Sequence, residues 1–282
     1  MISLEKPDIS AEGTFKACID RIRNPDLRDR LAGVTPLVVI ASADFDIAAQ
    51  ANTLHLIAAA DNVGGTVSEE EMGNVYNYRM VRSGSPGRTI YDQIYTSAPQ
   101  GRCPLCAHRG VATLDHHLPK SRHPALAVAP LNLVPACSNC NHAKLALNPD
   151  VPEEAPLHPY YDAIDHETWL TAEVLHQQPA ALHFRALPPH HWSDVLKARV
   201  LNHFKILRLA SLYASEAAEE LLNIRYELQQ ILAGAGAAAV QEHLSDRADS
   251  CRVARRNGWR TIAYTTWSNS DWFCAGGFKP GG

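Results

Sequence analysis

The sequence predicts an α+β fold that is mostly α-helical, with a small cysteine-rich core flanked by two helical regions. Three observations support this prediction. Apolar residues recur at steps of three and four over much of the chain, two short segments have the character of strands, and four of the seven cysteines fall between Cys103 and Cys140. With 282 residues, 46% apolar and 20% charged, the chain is long enough for one large domain or two modest ones.

Residues 1–98 are expected to form an N-terminal helical region. An amphipathic pattern in the first thirty residues is interrupted at Pro25, and a second helix is expected over about Leu37–Ala60. The sequence "SEEE" at Ser68 is a capping box, which predicts the start of a third helix. A loop in "SGSPGR" then separates it from a short helix in "IYDQIYTSA".

Residues 150–282 are expected to form a mostly helical C-terminal region with a short β segment. The strands are predicted in "TWLTAEVLH" and "AALHFRAL", and "LHPYYD" at residues 157–162 is interpreted as structural. A helical pattern runs from His191 to about Arg256, with a break at "GAG". Its predicted core positions are Ile206, Leu209, Tyr213, Ala217, Leu221, Ile224, Leu228 and Ile231. The tail "SNSDWFCAGGFKPGG" either packs onto this region or hangs free.

Two Cys-x-x-Cys pairs stand 30 residues apart in the sequences "CPLC" and "CSNC". A two-residue spacer lets both thiolates face one ion, so two such pairs are typical of a tetrahedral, coordinatively closed zinc site. The predicted ligands of a structural Zn²⁺ are Cys103, Cys106, Cys137 and Cys140. The alternatives are four unrelated core cysteines or a redox pair, but the βαβ context of redox pairs is absent.

The other three cysteines, Cys18, Cys251 and Cys274, are expected to be buried free thiols. The number of cysteines is odd, and the reducing compartment expected for this chain disfavours a disulfide framework. The chain shows neither a secretory signal pattern nor an apolar run of about 18 residues, so we expect a cytoplasmic protein without a membrane partner.

The segment 99–149 resembles the HNH endonucleases, also called ββα-metal nucleases, in the subgroup that carries paired zinc knuckles. The motifs "CPLC", "DHHLP", "NLVPACSNC" and "NHAK" occur here in the order of that family. The resemblance covers about 48 residues and implies a ββα-metal nuclease core that hydrolyses phosphodiester bonds of DNA, most commonly double-stranded. The candidate settings for such a protein are bacterial restriction, antiphage defence or a homing-type nuclease, and we expect restriction or antiphage defence.

The roles of individual residues follow from this resemblance. His116 would be the general base that activates water, and Asp115 with Asn141 would bind a catalytic divalent metal. Asn132 would fix the loop and orient the histidine. Asn141 departs from the histidine that is frequent at its position. Carboxylate and amide oxygens are hard ligands, which favours Mg²⁺ or Mn²⁺ as the catalytic ion.

Strand alternation raises a conflict about which histidine acts. In a regular strand Asp115 and His117 share a face while His116 points away, so periodicity favours His117. The resemblance favours His116, which requires a strand end, a strong twist or a bulge at this point. We follow the resemblance and expect His117 to pack, and we expect His108, His123 and His142 to be surface residues.

Charge is distributed unevenly along the chain. Residues 101–149 carry five cations and one acid, net +4, in a chain of net −4, which leaves −8 elsewhere. This basic island fits a local polyanion site, with phosphate contacts predicted at Lys120, Arg122 and Lys144. The acidic helices after His191 are a surface on which a regulatory or targeting protein could dock. The alternative function is a catalytically inactive, zinc-stabilised module that binds nucleic acid or protein.

Overall fold

The computed structural model describes residues 1–145 and 147–279, which form two compact units. The first unit is Met1–Ala163 and the second begins at Ile164. The fold is α+β and mostly α, so the predicted fold class is confirmed. The last three residues of the glycine-rich tail, 280–282, lie outside the described residues.

The first unit starts with three helices, α1 (Ala11–Ile19), α2 (Pro25–Gly33) and α3 (Thr35–Gln50). The predicted break at Pro25 is confirmed, since this proline opens α2 behind the N-cap Asn24. The second predicted helix ends ten residues early, at Gln50 instead of Ala60. Asn52 takes a left-handed backbone conformation (φ 58°) there, which ends the helix although the apolar composition continues.

A small hairpin, β1 (Asn62–Val63) and β2 (Val67–Ser68), leads into α4 (Glu69–Asn74). The predicted capping box is confirmed: the Ser68 hydroxyl accepts from the Glu71 amide, and the Glu71 carboxylate accepts from the Ser68 amide. The helix continues as a π-helical segment, Val75–Val81. The short predicted helix follows as α5 (Arg88–Thr96).

The cysteine-rich segment folds as two strands and a helix. Strands β3 (Thr113–His116) and β4 (Leu133–Ala136) pair antiparallel, and α6 (Ser138–Lys144) follows β4 directly. In this register Asp115 lies opposite Val134, and His116 opposite Leu133. Helix α6 packs against β3, while α5 packs against both strands, so the hairpin is held by two elements.

One apolar core joins the N-terminal helices to the ββα segment. Side chains from both parts of the chain are fully or nearly fully buried together, among them Phe15, Leu31, Val38, Met72, Leu114 and Leu133. The predicted boundary between residues 98 and 99 is therefore not a break in packing. The division into functional regions at residues 98/99 and 149/150 stays a prediction.

The second unit contains the two predicted strands, β5 (Leu170–Leu175) and β6 (Ala181–Ala186), which pair antiparallel. Three helices follow, α7 (Asp194–Ile206), α8 (Leu209–Ala254) and α9 (Trp259–Ser268). The predicted break falls at Gly236, whose φ of 83° interrupts α8. Six of the eight predicted core positions are buried; Ile206 and Ile231 are half-buried instead.

The described part of the tail packs within the second unit. Phe273, Cys274 and Phe278 are buried, and the Phe273 ring stacks on Trp267 with centroids 5.5 Å apart. Among the described residues, no single helix is both long and apolar enough to cross a membrane. The bent pair α2 and α3 meets that test of length and composition only when both helices are taken together.

Candidate metal centre and active site

The four cysteines of the two Cys-x-x-Cys pairs form one buried cluster. All ligand sulfurs of Cys103, Cys106, Cys137 and Cys140 lie within 4.8 Å of one another. The Cys106 and Cys137 Sγ atoms are 4.0 Å apart, close to the edge of about 3.8 Å that a tetrahedron with Zn–S bonds of about 2.3 Å requires. Within the described chain none of the seven cysteines forms a disulfide. The cluster therefore fits a structural zinc ion.

Backbone amides next to the cluster donate hydrogen bonds that stabilise thiolates. The Arg109 amide donates to Cys106 Sγ and the Cys140 amide to Cys137 Sγ, both at 3.4 Å. Cys137 is the N-cap of α6, where the helix dipole favours negative charge. Hydrogen bonds from the Cys103, Cys137 and Cys140 thiols, with a contribution from the Arg109 amide, hold the pKa of Cys106 far below its usual value.

Asp115 and Lys144 form a buried ion pair between β3 and α6. The side chains are 5% and 2% exposed, and Lys144 Nζ lies 3.3 Å and 3.4 Å from the two carboxylate oxygens. The ammonium also donates to the His116 carbonyl at 2.6 Å. Burial raises the pKa of Asp115, and the Lys144 charge opposes this shift. The expectation that Lys144 contacts phosphates is thus corrected, because its ammonium is engaged inside the protein.

His116 is the last residue of β3, which is the strand end that its predicted role requires. Its Nε2 lies 2.8 Å from the Ala127 carbonyl oxygen. A carbonyl only accepts, so we assign the proton to Nε2 and leave Nδ1 with its lone pair. Burial lowers the pKa of His116 to about 3, so the imidazole is neutral at pH 7.

His117 lies just beyond the strand and packs, as expected. It is 4% exposed, and its ring centroid lies 4.3 Å from that of His158 and 6.5 Å from that of Phe45. His158 is fully buried, with Nε2 3.1 Å from the Leu131 carbonyl, which confirms a structural place for residues 157–162. The structure thus puts the two adjacent histidines in different surroundings.

Asn132 closes the loop that follows β3. Its Oδ1 accepts from the Leu118 amide at 2.7 Å, and its Nδ2 donates to the carbonyls of Leu118 and Leu126 at 3.0 and 3.2 Å. The Asn132 carbonyl accepts from the His117 amide at 2.8 Å. A fully buried amide with this many partners rigidifies the backbone that follows His116. Whether this serves catalysis stays a prediction.

The other predicted site residues lie around this cluster. Asn141 is half-buried on α6 three residues before Lys144, which puts both on the face that packs against β3. Lys120 Nζ lies 5.8 Å from the centroid of the Tyr76 ring, and the Arg122 side chain is exposed. Lys120 is half-buried and Arg122 is exposed, so the phosphate contacts predicted for these two cations stay predictions.

Some sequence expectations need correction and some neighbours were missed. His123 was expected at the surface but is 4% exposed, with Nε2 2.9 Å from Asn148 Oδ1; His108 is half-buried and His142 is exposed. Tyr76, which contacts His116, was not singled out, because no local pattern shows that a residue forty positions upstream meets β3. Cys18 and Cys274 are buried free thiols as predicted, while Cys251 is half-buried.

Comparisons with known proteins give a relative but no family. No family profile and no solved structure matches the chain. The chain is 27% identical over 236 residues to the protein ea31 of Escherichia phage lambda, which covers 79% of each chain. The similarity therefore extends well beyond the ββα segment and into the flanking helical regions.

Proposed function

We propose that this chain is a metal-dependent endonuclease of the HNH type that hydrolyses phosphodiester bonds of DNA. The observation that carries the proposal is the position of His116. Its imidazole ends β3 directly after the buried carboxylate of Asp115, its Nε2 donates to the Ala127 carbonyl, and its Nδ1 keeps a lone pair. A positioned imidazole with an available lone pair is a group that takes a proton from water in general-base catalysis.

In the proposed reaction His116 accepts a proton and Asn132 positions the loop. His116 Nδ1 accepts the proton of the attacking water, and the Ala127 carbonyl stabilises the imidazolium that forms. Asn132 holds the loop at Leu118 and Leu126, so the base keeps its place during the reaction. The four-cysteine cluster lies outside this chemistry, because a closed tetrahedral zinc site keeps no open position.

A catalytic Mg²⁺ or Mn²⁺ fits the donor set. Asp115 provides a carboxylate and Asn141 an amide oxygen from the facing side of α6, and both are the hard ligands that these ions prefer. When bound, the ion supplies charge stabilisation for the phosphate and the leaving oxygen. Lys144 already pairs with Asp115, so an ion at this place would share the carboxylate with the buried ammonium.

The proposed partner is double-stranded DNA. Lys120 and Arg122 would hold its phosphates at the protein surface. Both lie on the loop between β3 and β4, a few residues after His116. The setting we propose is the bacterial cytoplasm, in restriction or antiphage defence. The phage origin of the similar protein ea31 supports a setting where phage and bacterial genomes meet.

One observation favours the alternative, an inactive zinc-stabilised binding module. The Asp115 carboxylate is already neutralised by Lys144 and is nearly inaccessible, so it needs no further cation to be stable. In that function Asp115 and Lys144 form a structural link between β3 and α6. Adding divalent metal would then produce no DNA cleavage and leave the environment of Asp115 unchanged.

The test is plasmid cleavage by zinc-loaded protein from which Mg²⁺ and Mn²⁺ have been removed by dialysis. Nicking should begin when either ion is added back, and zinc analysis should show the same content before and after. Chelator alone is a weaker test, because it also attacks the four-cysteine cluster.

Two variants make the test specific to the proposed site. His116→Ala should abolish nicking, while His123→Ala, which removes a buried histidine bound to Asn148, should keep it. Equal nicking by the wild type and His116→Ala would assign the activity to a contaminant or to another site. Absence of nicking with both ions on several DNA substrates would favour the binding module.

A further inference from the structure

Tyr76 is a buried tyrosine from the N-terminal helical part of the chain that touches the candidate base. It lies in the π-helical segment Val75–Val81 and is 6% exposed. Its ring centroid is 4.4 Å from that of His116, and the ring planes meet at 69°. This edge-to-face arrangement is the favourable geometry for two aromatic rings in contact.

A hydrogen bond ties the same side chain to the strand that carries His116. The Tyr76 hydroxyl donates to the Leu114 carbonyl at 3.2 Å, two residues before His116 in β3. Burial raises the pKa of Tyr76 far above its usual value, so the hydroxyl keeps its proton and remains a donor. Tyr76 therefore contacts both the strand backbone and the ring at the end of that strand.

The His116 ring needs such a second contact. The bond from its Nε2 to the Ala127 carbonyl holds one edge of the ring, and the ring can still turn about the Cβ–Cγ bond if that hydrogen bond breaks. The Tyr76 ring lies against the imidazole and opposes this rotation. π-Helical turns frequently occur at functional sites, and this one carries the contacting residue.

We propose that Tyr76 is a positioning residue of the candidate active site: it holds the His116 imidazole so that Nδ1 stays directed toward the reacting water. This inference rests on the proposed function, and it makes the N-terminal helical region part of the active site. The Lys120 ammonium lies 5.8 Å from the centroid of the same tyrosine ring, which links Tyr76 to the surface that would meet DNA.

The experiment compares three variants. Tyr76→Leu removes the ring contact and the hydroxyl, and Tyr76→Phe removes the hydroxyl alone. Tyr91→Leu is the matched control, because Tyr91 is 4% exposed in the same core and stacks on Tyr95. Zinc content and thermal unfolding are measured for each, so that kcat refers to folded protein.

Tyr76→Leu should lower kcat for plasmid nicking by on the order of 10- to 100-fold, as misplacement of a catalytic group does, with little change in KM. Tyr76→Phe should recover most of this loss, because the ring contact remains. Tyr91→Leu should lower stability but keep kcat. Equal kcat for Tyr76→Leu and Tyr91→Leu would overturn the proposal. If Tyr76→Leu does not fold, Tyr76→Met takes its place in the comparison.

A second measurement separates this proposal from the proposed function. Long-range proton–nitrogen spectra of histidine-labelled, zinc-loaded protein report which ring nitrogen carries the proton. The wild type and Tyr91→Leu should show His116 protonated at Nε2, and Tyr76→Leu should show a mixture. If the wild type does not cleave DNA but this mixture is seen, the nuclease assignment fails while the positioning role stands. An unchanged tautomer together with unchanged kcat refutes the positioning role.

Discussion

The four-cysteine cluster and the Asp115–His116 site lie in the same ββα segment but are built in different ways. The cluster uses two Cys-x-x-Cys segments, and each segment supplies two sulfurs at a fixed spacing. The candidate active site instead takes one group from each of several elements: a carboxylate from β3, an ammonium from α6 and a carbonyl at Ala127. The four-cysteine cluster can be predicted from the spacing of its residues in the sequence. The candidate active site depends on how the elements pack.

The two sites also differ in how their negative charge is balanced. The sulfurs of the cluster face one another, so thiolates there require a metal ion. Asp115 has Lys144 as a built-in counter-charge and is stable without one. Loss of metal should therefore unfold the segment around the four-cysteine cluster, whereas the Asp115–His116 site should lose activity but stay folded. The predictions that follow test this difference.

The largest effect is expected for Cys137→Ser. The variant should lose most of its zinc and aggregate or unfold, because metal binding at such sites contributes on the order of 10–16 kcal/mol in small peptides. Cys274→Ser is the matched control, since Cys274 is equally buried at 3% exposure but lies outside the cluster. Metal analysis and circular dichroism measure both variants. A folded Cys137→Ser protein without zinc would show that packing alone holds the segment.

His116→Ala should act on the second site alone. Loss of a general base lowers the rate by about 10²–10⁴-fold, and zinc content should not change, because the cluster is held by other residues. The initial nicking rate on plasmid is the measurement. If His117→Ala is inactive while His116→Ala is active, strand alternation was the better guide and the assignment of the base is wrong.

The buried pair of Asp115 and Lys144 gives the next effect. Either Asp115→Asn or Lys144→Met leaves one buried group without its partner, which should lower the free energy of unfolding by about 3–5 kcal/mol. The double variant should recover much of this loss, because neither charge is then buried alone. Urea unfolding of zinc-loaded protein without Mg²⁺ measures the cycle. Additive losses would mean that the pair does not interact.

The pH dependence of stability should carry a contribution from His116. Its pKa falls from 6.5 to about 3 because burial disfavours the charged ring. Below about pH 6.5 the His116 imidazole is protonated in the unfolded chain but stays neutral in the folded protein. The free energy of unfolding therefore decreases as pH falls toward about 3. His116→Gln should decrease less steeply over this window. Identical slopes would show that the ring is solvated in the folded protein.

The smallest effect is expected at the surface cations. Lys120→Ala or Arg122→Ala should weaken DNA binding across sequences and reduce the slope of log K against log salt by about 0.9 per phosphate contact. Lys144→Met should leave this slope unchanged, because its ammonium is engaged inside the protein. Fluorescence anisotropy over a range of salt concentrations tests all three. Unchanged slopes at Lys120 and Arg122 would put the DNA surface elsewhere.

Much of the secondary structure was predictable because its signals are local. The capping box at Ser68, the break at Pro25 and the interruption of α8 near Gly236 each follow from the conformational preference of one or two residues. The end of α3 was not predictable from composition, because apolar residues continue to Ala60. A left-handed Asn52 ends it, and asparagine adopts that conformation only where the surrounding structure favours it.

The sequence by itself determined the four-cysteine cluster, because two short turns fix their ligands through covalent spacing. It also placed Asp115 next to His116 and put Asn132 in the loop that it closes. Tertiary structure decided how these residues are used. It buried Lys144 against Asp115, packed His117 and His158 together, and brought Tyr76 from forty residues upstream onto His116. These contacts join elements that are distant along the chain, and they form only when those elements pack against one another.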